Sequence, residues 1–83
     1  VSEQENRLAR QVARVMLFEQ AARYLGGHEA LAAALGIQVR SLRAKFSADR
    51  GVSDADLRVA AAAMDARVEE IAAKAAKIRE MIA

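Results

Sequence analysis

Large apolar residues recur along this chain at three- and four-residue steps, interrupted by glycines, and the pattern predicts four helices. Leu8, Val12, Val15, Phe18, Ala22 and Leu25 form the apolar face of a first helix over residues 2–25. Glu3 and Glu5 fall in its first turn, where the helix dipole favours negative charge. Gly26 and Gly27 end it, because glycine readily takes the left-handed conformation that closes a helix. A short helix follows from His28 to about Leu35, with Leu31 and Leu35 facing inward and Gly36 at its end. A third is expected from near Gln38 to about Ala48, with Val39, Leu42 and Phe46 on one side and Gly51 closing it. Ser53, with Asp56 three residues on, has the form of a capping box in which aspartate replaces the usual glutamate or glutamine.

The last helix is expected to run from Ser53 to the chain end. Along it Leu57, Ala61, Met64, Val68, Ile71, Ala75, Ile78 and Ile82 alternate steps of four and three, a heptad seam of four repeats. A lone helix would leave much of that seam in water. The expectation is therefore packing on the first helix and also on a second subunit, with Leu57, Met64, Val68, Ile71, Ile78 and Ile82 as dimer contacts. The fold expected is all-α: a long N-terminal helix, a helix-turn-helix and a long C-terminal helix, assembled as a dimeric helical bundle. With 83 residues and no internal linker, one domain is expected.

Composition narrows the chemistry. Of the 54% of residues that are hydrophobic, nearly half are alanine, and proline is absent, so the chain favours close-packed helices over a deep aromatic core. There is no cysteine and only one histidine, so neither a disulfide nor a metal cage is expected. No cofactor is implied. No apolar run approaches the ~18 residues of a membrane span, so a membrane is not an expected partner. A nucleophile–base constellation and a phosphate-cradling glycine loop are both missing, and a core this small leaves little room for a small-molecule substrate; an enzyme is not expected.

Net charge is only +2, but its distribution is uneven. Residues 1–35 are balanced, residues 51–83 carry −1, and residues 36–50 carry +3 through Arg40, Arg43, Lys45 and Arg50 against Asp49. The whole basic excess lies in one short segment.

Residues 28–47 read His-Glu-Ala-Leu-Ala-Ala-Ala-Leu-Gly-Ile-Gln-Val-Arg-Ser-Leu-Arg-Ala-Lys-Phe-Ser. The block Leu31-Ala32-x-x-Leu35-Gly36-Ile37, followed by Leu42 and Phe46, resembles the helix-turn-helix of bacterial repressors and nucleoid proteins. The second half, Leu42-Arg43-Ala44-Lys45-Phe46, is most similar to the factor-for-inversion-stimulation branch, although there the motif closes the chain and here a 30-residue helix follows. Each anchor has a physical reason. Leu31 and Leu35 hold the first helix of the pair to the core, and Ala32 is small where the second crosses it. Gly36 supplies a positive φ in the turn, Ile37 fills the corner, and Leu42 and Phe46 hold the second helix down.

The resemblance implies a recognition helix in the major groove of double-stranded DNA, with Gln38, Arg40, Ser41, Arg43, Ala44 and Ser47 outward. Gln38 suits adenine, and Arg40 or Arg43 suits guanine or phosphate. Lys45 and Arg50 are expected as phosphate contacts at the helix edge. A transcriptional regulator or nucleoid-associated factor in the bacterial cytoplasm follows. The alternative is a helical adaptor that keeps the motif only as a scaffold for protein contacts.

Elsewhere bland roles are expected. His28 reads as a capping or surface residue, Met16, Met64 and Met81 as core filling, and Tyr24 as packing with its hydroxyl at the edge. Arg7, Arg10 and Arg14 read as a solvated face. Glu69-Glu70 and the Lys74–Lys77 pair suit ion pairs along the last helix or between subunits.

Overall fold

The computed structural model describes residues 2–47 and 51–83. They form four helices: α1 over Glu3–Leu25, α2 over His28–Leu35, α3 over Val39–Lys45 and α4 over Asp54–Ile82. Ser2 caps α1 by accepting the Glu5 N–H, and Gly26, at φ 116°, ends it. At the start of α4 the expected capping box is present: the Ser53 hydroxyl accepts the Asp56 N–H, and the Asp56 carboxylate accepts the Ser53 N–H.

α3 is shorter than the pattern predicts. Its helical hydrogen bonding gives out at Phe46, whose N–H turns to the Arg43 carbonyl, three residues back. Ser47 then places both its N–H and its hydroxyl on the Ala44 carbonyl, the latter at 2.6 Å. A serine that satisfies itself locally in this way competes with helix continuation. The expected extension to Ala48 lies outside the described residues.

Phe18, Ala21 and Ala22 of α1, Leu31 and Ala32 of α2, Leu42 of α3, Val52 of the loop before α4, and Ala60 of α4 make the core. Val15, Leu25, Leu35, Ile37, Val39, Phe46, Leu57 and Met64 pack around it. Phe18 and Phe46 lie ring to ring at 5.6 Å, so the only two phenylalanines sit together beneath α3. Alanines at the helix crossings let backbones approach closely, the consequence of an alanine-rich sequence.

Arg14 of α1 meets Val52 and Asp54 at the start of α4, and later residues of both helices then enter the core together. The two helices therefore pass the core in the same sense, and their free ends leave it on opposite sides. The result is elongated, 59 × 31 × 16 Å, with a radius of gyration of 16.2 Å. A compact chain of this length would have about 12 Å.

That shape corrects several expectations. Leu8 and Val12, placed on the buried face of the first helix, are 65% and 50% exposed. Met16, Met81 and Tyr24 are also exposed, and Met64 alone of the three methionines packs against the core. The heptad seam divides: Leu57 and Met64, expected between subunits, face the chain's own core, whereas Val68, Ile71, Ile78 and Ile82 project into solvent. Periodicity marks an apolar face but carries no information about what covers it.

Candidate nucleic-acid interface

The turn between α2 and α3 rests on Gly36, whose φ of 70° is a left-handed conformation that costs an L residue roughly 1–2 kcal/mol. Its N–H closes α2 on the Ala33 carbonyl, and the following Ile37 N–H returns to Ala32. Gln38 then caps α3 in extended backbone, without a side-chain bond of its own. With Leu31 and Leu42 fully buried on either side of this turn, α3 is pinned by one face.

The opposite face is open. Gln38, Arg40, Arg43 and Ser47 are exposed, and neither arginine forms an ion pair with any described residue. Ser41 and Ala44, expected outward as well, are half-buried along its edge. The Ser47 hydroxyl is engaged with Ala44. Arg50 lies outside the described residues.

Lys45 departs from the expected role. Its ammonium lies 3.1 Å from the Asp56 carboxylate, with both side chains largely out of solvent. The charge meant for phosphate thus closes an ion pair between the end of α3 and the capping box of α4. Burial alone would raise the Asp56 carboxyl. The Ser53 N–H, the Lys45 ammonium and the Ser53 hydroxyl outweigh it and hold the group below the ordinary carboxylate range.

Arg14 is likewise not part of a free face. It donates to the Val52 carbonyl at 3.2 Å and to the Asp54 carboxylate, bracing the loop that enters α4. The hydrogen bond and positive charge of Arg14 keep the Asp54 carboxyl below its ordinary value. On α4 the ion pair observed is Arg67–Glu70 at 3.5 Å, not one from the Lys74–Lys77 pair.

His28 combines two roles that the sequence did not join. Its Nε2 donates to Glu19 at 2.9 Å, and its ring stacks on Phe46 at 5.3 Å, covering the hydrophobic seat of α3 from the α2 side. Nothing local announces this contact, because Phe46 is eighteen residues away. Among the described residues no group of His, Asp and Glu is placed to hold a metal ion. No helix among them is long and apolar enough to cross a membrane.

The fold and site define an all-helical protein with a helix–glycine–helix unit anchored in the core by Leu31, Ala32 and Leu42, whose second helix offers a basic outer face. Comparison with protein-family models, with curated proteins and with solved structures finds no match to the chain.

Proposed function

We propose that this protein binds double-stranded DNA as a homodimer, laying α3 in the major groove with Gln38, Arg40 and Arg43 toward base edges and phosphates. One observation carries the reading. Leu42 is fully buried, while Arg40 and Arg43, two positions before it and one after, stand in solvent without a carboxylate partner among the described residues. A helix held so firmly by one side and left basic on the other presents a rigid surface to a polyanion. Ser47 lies at the rim of that surface, and Lys45 belongs to the scaffold beneath it. On this reading the protein is a transcriptional regulator or nucleoid-associated factor, and its place is the bacterial nucleoid.

The dimer is supported by Val68, Ile71, Ile78 and Ile82, which continue the seam of α4 beyond the core and stand exposed in their own chain. A second reading, a protein-binding adaptor, is favoured by Leu8, Val12, Met16 and Leu17, four large apolar side chains exposed along α1 between residues 8 and 17.

Fluorescence anisotropy with a random-sequence duplex at two salt concentrations tests the DNA reading. Wild-type protein is expected to bind with affinity falling steeply in salt, and the Arg40→Ala/Arg43→Ala double variant to lose most of that affinity with its helicity intact. Absence of duplex binding by the wild type at low salt would sink the reading.

A further inference from the structure

The exposed end of α4 has a charge pattern that selects one way of pairing. Taking Met64, Ile71 and Ile78 as the d positions and Val68, Ala75 and Ile82 as the a positions of the seam, the flanking g positions are Arg67, Lys74 and Met81. The flanking e positions are Asp65, Ala72 and Arg79. All of these flanking side chains are exposed. In a parallel pair each g residue faces the e residue five positions on in the partner, which sets Lys74 against the partner's Arg79 twice over. It also stacks Ala75 on the partner's Ala75, an under-filled layer between two isoleucine layers.

An antiparallel pair has neither defect. In the register centred at Ala73, Asp65 faces the partner's Arg79, and Arg79 faces the partner's Asp65. The apolar layers become Val68 on the partner's Ile78 and Ile71 on the partner's Ala75, each occurring twice. Ile82 reaches the partner's Met64 beside its core. Each small residue now meets a large one, as a filled core requires. On the other flank Arg67 faces the partner's Met81, and only Lys74 meets its own copy, where two long side chains can splay apart. Sliding one heptad toward the N-terminus sets Arg67 against the partner's Lys74 and Arg58 against the partner's Arg79. Sliding one heptad the other way forfeits both ion pairs and two apolar layers.

We infer that the free half of α4 is the docking site for the α4 of a second copy of this chain, antiparallel and centred at Ala73, with reciprocal Asp65–Arg79 ion pairs. This rests on the dimer reading above and adds its direction and register. The two cores then lie at opposite ends of the paired helices, with their Leu57 residues about 48 Å apart along the axis, from a rise of 1.5 Å per residue.

Two experiments test it, each at positions outside the chain's own core. The chain has no cysteine, so Ile71→Cys and Ala75→Cys report cleanly. Under mild oxidation a mixture of the two variants is expected to give a disulfide-linked pair that neither gives alone. A parallel pair would do the reverse, cross-linking each variant alone. The second test is charge reversal: Arg79→Glu is expected to weaken dimerisation in sedimentation by about tenfold, and adding Asp65→Arg to restore it. A parallel pair would instead be strengthened by Arg79→Glu, because Lys74 would gain a partner. Cross-linking of each variant alone, or a tighter Arg79→Glu dimer, overturns the orientation and leaves the dimer standing. A 9 kDa monomer at high micromolar concentration overturns both.

Discussion

The Lys45 ammonium and the Asp56 carboxylate, 3.1 Å apart, tie the last turn of α3 to the first turn of α4. Asp56 also accepts the Ser53 N–H, so one carboxylate closes the capping box and receives the basic side chain of the neighbouring helix. The interaction is half-buried and therefore less screened than a surface pair. Lys45→Met is expected to cost roughly 1.5–3 kcal/mol of stability by urea unfolding, the range of a hydrogen bond to a charged group. The same variant should leave the salt dependence of DNA binding unchanged. A fall in that dependence would return Lys45 to the phosphate-contacting surface.

Acid should loosen this junction first. Both Asp54 and Asp56 have folded-state pKa values below the ordinary 3.8, the first through Arg14, the second through the Ser53 and Lys45 contacts that overcome burial. The native state thus binds fewer protons than the unfolded chain as pH drops below the ordinary carboxylate range. Their contribution is fully present above that range and is lost as pH falls through the depressed folded values. Urea midpoints measured from pH 6 down to pH 3 are expected to decline, and an Asp54→Asn/Asp56→Asn variant to show a shallower decline from a lower starting point.

Gly36 tests the turn. Its φ is 70°, and no atom lies within 4 Å of where a β-carbon would stand, so the cost of a side chain there is a backbone cost alone. Gly36→Ala is expected to lose about 1 kcal/mol in denaturant unfolding, and Gly36→Asn less, because asparagine tolerates the left-handed region better. Equal losses for the two would point to a steric cause instead.

Much of the fold could be read directly from the chain. The bounds of α2, the positive φ at Gly36, the burial of Leu31, Ala32 and Leu42, and the Ser53–Asp56 box all follow from signals within a few residues of one another. What stayed hidden involves partners far apart in sequence. Lys45 and Asp56 are separated by eleven residues, Arg14 and Asp54 by forty, and no local pattern distinguishes a lysine bound for a phosphate from one bound for a carboxylate. The exposure of Leu8 and Val12 was illegible for a different reason. Helical spacing gathers apolar residues on one face, but only the path of the neighbouring helices decides how far along that face the cover extends.

The open face of α3 leads to a quantitative expectation for DNA. Removing a side chain that neutralises one phosphate makes the slope of log affinity against log salt shallower by roughly 0.9. If Arg40 and Arg43 both bind phosphate, their joint replacement by alanine should reduce the slope by about 2, from that same value per phosphate. If one reads guanine, the slope should fall by about 1, together with the preference at one base position. Titrations at several salt concentrations, with a selected and a random duplex, separate these outcomes. An unchanged slope would remove α3 from the interface.

Ile71 and Ile78 separate folding from assembly, because they are 57% and 64% exposed and lie outside the core of their own chain. Burying an isoleucine contributes about 1.5–3 kcal/mol, a gain these two can realise only against another molecule. A dimer that forms in the folded state makes thermal stability depend on protein concentration, through mass action. The full chain is accordingly expected to melt at higher temperature as its concentration rises. Ile71→Asp/Ile78→Asp should abolish that dependence while matching the wild type in helicity and in melting temperature at the lowest concentrations. Because the core from Phe18 to Met64 is untouched, a variant that unfolds outright would mean that α4 holds together only when paired. A variant with undiminished concentration dependence would place the subunit contact elsewhere, on the exposed Leu8, Val12 and Met16 of α1.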